Sequence, residues 1–206
     1  MKSGGGGEHW NRVYRSSEEN AVSWFQEEPQ PSLGLIDRYG PGKQASVIDI
    51  GGGASRLTDA LLAFGYRDLS ILDISEEALA VTRERLGASS TRIEFLAADV
   101  TTWCPLRRWD VWHDRAVVHF LVSETDQAAY RKALVAATAP GSVAVIGTFA
   151  PDGPERCSGL PVRRWSAEGL SGFFAPEFSL LGRHRHVHET PSGTSQSFEF
   201  AVLCRS

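Results

Sequence analysis

Asp49-Ile50-Gly51-Gly52-Gly53 places a carboxylate just ahead of three consecutive glycines. Glycines let the backbone approach a small ligand where any Cβ would intervene. A dinucleotide fingerprint would need a further glycine three places after Gly53, where this chain has Arg56. Asp49 would also repel a pyrophosphate and suits a ligand carrying positive charge. Two more carboxylates follow. Asp73 ends an apolar run about 20 residues past the glycines, where an acceptor-only group can take both hydroxyls of a ribose. Asp99 follows the next apolar run, in Ala97-Ala98-Asp99-Val100. A fourth run leads into Asp114-Arg115-Ala116-Val117-Val118-His119, whose imidazole titrates near neutrality and can act as a general base. The same His119 equally suits packing or hydrogen bonding beside the ligand.

An open α/β sheet carries such groups at the carboxyl ends of its strands. Ser46 to Ile50 is β-branched and apolar apart from Asp49, as in a strand buried on both faces. Ala54 to Phe64 then has helical spacing. Strands are expected over Asp68–Leu72, Arg92–Leu96, Trp109–Asp114 and Ser142–Phe149, with helices over Ser75–Leu86 and Glu124–Ala139. Ser75, followed by Glu76 and Glu77, supplies a helix cap and acidic first turn. Pro151-Asp152-Gly153-Pro154 is a turn, Glu155 to Pro161 a loop over the site, and Trp165 to Phe174 a short helix. Phe178–His188 and Ser195–Cys204 read as two long strands joined through Pro191-Ser192-Gly193. The fold class expected is α/β: a Rossmann-like, seven-stranded, mostly parallel sheet with helices on both faces and a C-terminal antiparallel β-hairpin.

The motif Asp-x-Gly-x-Gly resembles the first motif of class I S-adenosylmethionine-dependent methyltransferases. Ser55-x-Leu57 resembles the variant found in protein-lysine methyltransferases of the citrate synthase and elongation factor 1A type. Asp114 to His119 is similar to the Asp-Lys-Gly-Thr-Leu-Asp segment of that group, and the chain looks like a bacterial relative of it. The resemblance implies S-adenosyl-L-methionine as cofactor. It implies cofactor contacts at Asp49, Gly51, Gly52, Gly53, Ser55, Arg56, Asp73 and the adjacent Ile74. In the family an Asp at the position of Asp99 accepts from the adenine amino group, and its neighbour, here Val100, contacts the ring through backbone. Asp114, Arg115 and Ala116 follow by the same likeness. His119 stands where the lysine enzymes carry an acid. An imidazole gives an incoming ammonium no pairing and repels it when protonated. A small-molecule acceptor is therefore expected, with His119 as base or orienting group. Protein lysine, and non-catalytic binding of the cofactor, are the alternatives.

Glu8 to Glu28 is rich in aromatics, and Trp10, Val13 and Tyr14 can share a helix face. By the family likeness, residues 8–40 form a helical lid within a single domain of residues 8–206. Tyr14 then closes over the cofactor, and Trp24 and Cys157 reach the acceptor. Ser32 to Tyr39 reads as a second short helix. Met1 to Gly7, with four glycines, is expected to be a flexible tail.

The net charge of -4 gives no electrostatic footprint for nucleic acid, and no apolar run reaches membrane-spanning length. Cys104, Cys157 and Cys204 show no zinc spacing, which fits a reducing, cytoplasmic setting. The alternation in Arg183-His184-Arg185-His186-Val187-His188 invites a metal, but no complete ligand set accompanies it, and none is expected. Oligomeric state is not legible.

Overall fold

The computed structural model describes residues 4–16 and 22–206. Seven strands form one sheet: β1 (Ser46–Ile50), β2 (Asp68–Asp73), β3 (Ile93–Ala97), β4 (Val111–Arg115), β5 (Val143–Phe149), β8 (Phe178–Glu189) and β9 (Ser195–Arg205). Their order is β3-β2-β1-β4-β5-β9-β8. The first five are mutually parallel, and β9 runs antiparallel to both β5 and β8. The expected sheet and its closing hairpin are therefore both present. Between β5 and β8, the loop expected at Glu155–Pro161 contains a second, minimal hairpin, β6 (Arg156–Cys157) with β7 (Leu160–Pro161).

Every residue of β1 and of β5 is buried, as expected for central strands covered on both faces. Alternate residues feed opposite cores. Ile48, Ile50 and Trp112 pack with α5 (Glu124–Ala136) and α6 (Ala167–Phe174) through Tyr130, Leu134, Leu170 and Phe174. Val47, Val111 and Val145 pack on the other face with α2 (Ser32–Tyr39) and α3 (Leu57–Ala63). Capping fixes several helix starts. Ser75 Oγ accepts from Ala78 N at 3.2 Å to open α4 (Glu76–Leu86), and Ser123 and Ser166 do the same for α5 and α6.

Two expectations at the N-terminus need correction. Gly4 to Gly7, placed in a flexible tail, form the first turns of α1 (Gly4–Ser16), and Gly6 and Gly7 sit against Ile74. Met1 to Ser3 lie outside the described residues, as do 17–21. Within the expected helical lid of residues 8–40, α1 covers residues 8–16, and Trp24 to Pro29 are not helical. The helix α1 is seated on the start of α4, where Ser75 Oγ donates to Asn11 Oδ1 at 2.7 Å and Arg15 pairs with Glu77 at 2.6 Å.

Candidate active site

Strand order reverses around β1, with β2 on one side and β4 on the other, and a ligand crevice is expected at the carboxyl ends of such strands. A cavity of about 330 Å³ lies there. Gly51 after β1, Asp73 and Ile74 at the end of β2, Ala98 to Thr101 after β3, and Arg115 to Val117 at the end of β4 form its floor. Trp10, Tyr14 and Trp24 come over it from the N-terminal segment, and Cys157 and Leu160 from the minimal hairpin.

The glycine turn is sterically specified. Gly51 has φ +67°, and a Cβ there would stand 2.1 Å from Val117 Cγ2. A Cβ on Gly53 would stand 2.6 Å from Asp73 Oδ2 and 2.8 Å from Ala78 Cβ. Only Gly51 lines the cavity. Gly52 and Gly53 instead make room for carboxylates, Asp49 for the first and Asp73 for the second.

Asp73 is buried at the cavity wall, and its Oδ1 accepts from Ser75 N at 2.8 Å. Burial pushes its carboxyl up to about 7; Asp49 pushes the same way, while the amides of Ser75, Gly53 and Ile74 oppose the rise. Asp99 lines the cavity while its Oδ1 accepts from Thr101 N at 2.9 Å and Thr101 Oγ1 at 2.7 Å. It is both a loop cap and a wall residue. Val100 beside it is buried and also lines the cavity.

Several expected site residues are elsewhere. Asp49 does not line the cavity. It is buried in β1, and its Oδ1 meets His113 Nδ1 at 2.6 Å, while His113 Nε2 meets Ser32 Oγ at 2.8 Å. The register explains this, because Asp49 and His113 are direct neighbours on β1 and β4. Ser55 and Arg56 line a separate narrow cleft with Val22, Trp24, Phe25, Gln26 and Arg115. Ser55 Oγ accepts from Leu57 N at 3.1 Å, and Arg56 lies 6.0 Å from the Phe25 ring. Asp114 is fully buried and knots the turn after β4. Its oxygens accept from Val117 N at 2.8 Å, Val118 N at 3.0 Å and Tyr130 Oη at 2.6 Å. Burial raises its carboxyl to about 6 against those hydrogen bonds. This knot holds Ala116 at φ +73°, with Arg115 and Ala116 facing the cavity.

His119 requires the largest correction. It is fully buried, with its ring 4.4 Å from that of Phe120 and 5.0 Å from that of Phe149. Neither ring nitrogen has a partner among the described residues, and burial pulls its pKa down to about 3. Val118 to Phe120 form a tight helical turn that presents Phe120 to the cavity and turns His119 into the core. Replacing an unsatisfied buried polar group by an apolar one of similar size is close to neutral or stabilising. His119→Leu should therefore leave the melting temperature unchanged or higher and binding of the cofactor product within about twofold. A 100-fold loss of turnover at unchanged melting temperature would instead restore the base.

Trp10 and Phe120 are the wall residues that chemistry-seeking spacing passes over. Trp10 meets Phe120 at 5.2 Å and Trp24 at 5.6 Å, both edge to face, and Trp24 Nε1 donates to Tyr14 Oη at 3.3 Å. An aromatic cage thus joins α1, residue 24 and the turn after β4. Cys157 lines the cavity beside it, with its thiol pushed up to about 11 by burial although Arg115 opposes the rise. It is a thiol and not a thiolate near neutrality. His188 Nε2 donates to Ser23 O at 2.8 Å, and among the described residues no group of three His, Cys, Asp or Glu is placed to hold a metal ion. No helix among the described residues is long and apolar enough to cross a membrane.

Sheet order, glycine turn and cavity together define the class I methyltransferase fold. Residues 47–141 match the family model described as a methyltransferase domain. A solved structure described by the conversion of a disulfide bond into a thioacetal group during echinomycin biosynthesis has TM-score 0.76 and 24% identity, covering 97% of this chain and 93% of that one. Burkholderia thailandensis 1,6-didemethyltoxoflavin-N1-methyltransferase, solved with 1,6-didemethyltoxoflavin and S-adenosylhomocysteine, has TM-score 0.71 and 20% identity, covering 97% and 88%. The Danio rerio eEF1A lysine and N-terminal methyltransferase is 27% identical over 122 residues. That match covers 59% of this chain and 17% of the relative, so the chain corresponds to a small part of that protein.

Proposed function

We propose that the chain is an S-adenosyl-L-methionine-dependent methyltransferase whose acceptor is a small-molecule nucleophile. The carrying observation is the composition of the cavity's far end. Aromatic rings and one guanidinium, Arg115, surround it, and the carboxylates of the wall are Asp73 and Asp99 toward β2 and β3 and Asp126 at the start of α5. Asp126 is exposed and takes a hydrogen bond from Ser123 Oγ at 2.7 Å. Among the described residues no buried acid lies there to receive an ammonium acceptor.

The residues present fit the cofactor. Gly51 and Val117 share the cavity wall, where a Cβ on Gly51 would collide with Val117, and Asp73, on the same wall at the end of the second strand, would take the ribose hydroxyls. Asp99 and Val100, which line the same cavity, would meet the base. Bound cofactor would supply an electrophilic methyl group on a sulfonium. The protein's part is then chiefly positioning and exclusion of water. Tyr14, Trp24 and Trp10 serve as the lid that excludes it, held to α4 through Asn11 and Arg15. With His119 in the core and Cys157 protonated, neither supplies a general base, and among the described residues the remaining acids of the cavity wall are Asp73, Asp99 and the exposed Asp126. The acceptor therefore arrives already nucleophilic, as a thiolate, an oxyanion or an unprotonated nitrogen.

Protein lysine is the second reading, favoured by the name of the Danio rerio relative. Methyl-labelled S-adenosyl-L-methionine, incubated with the chain and with separated small-molecule and protein fractions of a lysate, tests the choice. Label in the small-molecule fraction is expected. Label confined to a lysine of one protein would transfer the case to the second reading.

A further inference from the structure

We infer that Arg115 anchors a negatively charged group of the methyl acceptor, so that the acceptor is a flat, anionic small molecule. This rests on the cavity being the cofactor and acceptor site. Arg115 is the only cation among the described residues that line the cavity. Its Nη2 donates to Trp24 O at 2.9 Å, and among the described residues no carboxylate stands within ion-pair distance of it. Burial lowers its pKa, and the charges it feels most are those of Asp49, Tyr14 and Cys157. Asp49 holds His113 through Oδ1 and makes no ion pair with Arg115. A guanidinium has five donors in a planar fork, and removing it from water is costly unless an anion meets it. Arg115 borders both the narrow cleft and the cavity; the cleft already holds the Arg56 guanidinium, so the cavity is the side that suits an anion.

Shape narrows the class further. Trp10, Trp24 and Phe120 form an edge-to-face set around the same end, next to Tyr14. Rings so arranged favour a planar ligand, and the fork favours a carboxylate or another oxyanion held by two parallel bonds. Asp73 and Asp99, on the β2 and β3 side, keep that anion away from the nucleoside end by like charge. The competing candidate for the fork is the carboxylate of the cofactor's own amino-acid tail.

Calorimetry separates these cases. The full chain is titrated with S-adenosylhomocysteine and with 5′-methylthioadenosine, which lacks the amino-acid tail. The S-adenosylhomocysteine-saturated chain is then titrated with 2-naphthoate and its uncharged amide, 2-naphthamide. The parent should prefer naphthoate by about tenfold or more, Arg115→Lys should keep part of that preference, and Arg115→Met should lose it. S-adenosylhomocysteine should bind Arg115→Met within about threefold of the parent, a change well under 1.4 kcal/mol. Equal affinity of the parent for the two probes, binding of neither at millimolar concentration, or a preference that survives in Arg115→Met overturns the inference. So does Arg115→Met weakening S-adenosylhomocysteine but not 5′-methylthioadenosine, which would give the fork to the cofactor. Should Arg115→Met fail to fold, the parent's choice between the probes and the behaviour of Arg115→Lys decide. Failure of the parent to bind S-adenosylhomocysteine is a different result and removes the functional reading itself.

Discussion

Gly51→Ala should bind S-adenosylhomocysteine at least about 100-fold more weakly than the parent, roughly 2.7 kcal/mol, and should melt several degrees lower. Two costs combine at this position. An alanine at φ +67° is strained by about 1–2 kcal/mol, and its Cβ would stand 2.1 Å from Val117 Cγ2. Val117 is a short, stiff side chain, so the turn itself must shift, an overpacking cost of about 1–3 kcal/mol. Gly51 and Val117 both line the cavity, and any relief moves the wall. Adding Val117→Ala should recover part of the melting temperature while leaving the strain. Thermal melts and calorimetry of the two variants check this. A Gly51→Ala chain that binds as the parent does would show that the glycine turn does not shape the ligand site.

Asp73→Ala should weaken the cofactor product by about 2 kcal/mol or more, because two ribose hydroxyls lose a charge-assisted acceptor in a dry site. Its carboxyl adds a pH signature. Folding raises this group from the ordinary 3.8 to about 7, so the folded chain holds the proton more tightly than the unfolded one. Below pH 4 both states are protonated and the group is neutral toward stability. Its contribution becomes progressively unfavourable from about pH 4 to 7 and levels off above that. Ribose hydroxyls donate to the charged form, so binding should release a proton near neutrality and tighten as pH rises from about 6 to 8. Calorimetry in buffers of different ionisation enthalpy reads that proton directly. Unchanged affinity in Asp73→Ala, or no proton release by the parent, would remove Asp73 from the site.

The sheet was legible in the sequence because the central strands are short, largely apolar runs bounded by turns, and the closing hairpin is marked by Pro191 to Gly193. Gly51, Asp73, Asp99 and Val100 were legible for a related reason. Strand ends in a parallel sheet all arrive at one crevice, so spacing puts Gly51 and Asp73 on its wall, and the family resemblance added Asp99 and Val100. What spacing cannot show is which way a side chain turns. Asp49 lies next to the glycines in sequence but opposite His113 in register, and the register decides its partner. His119 and Phe120 are adjacent in a tight helical turn, and burial favours the aromatic surroundings for one and the cavity for the other. Gly4 to Gly7 look like linker by composition, yet small residues are what permits a helix to sit closely on Ile74. Asp114 resembles a site residue by motif, while its two oxygens are consumed by the turn they hold.

Parallel titration of the full chain with S-adenosyl-L-methionine, S-adenosylhomocysteine and NAD is the most direct test of the central claim. Saturable binding of the first two in the micromolar range, with none of NAD, is the predicted result. Saturable NAD binding with no response to either adenosyl compound would contradict the account.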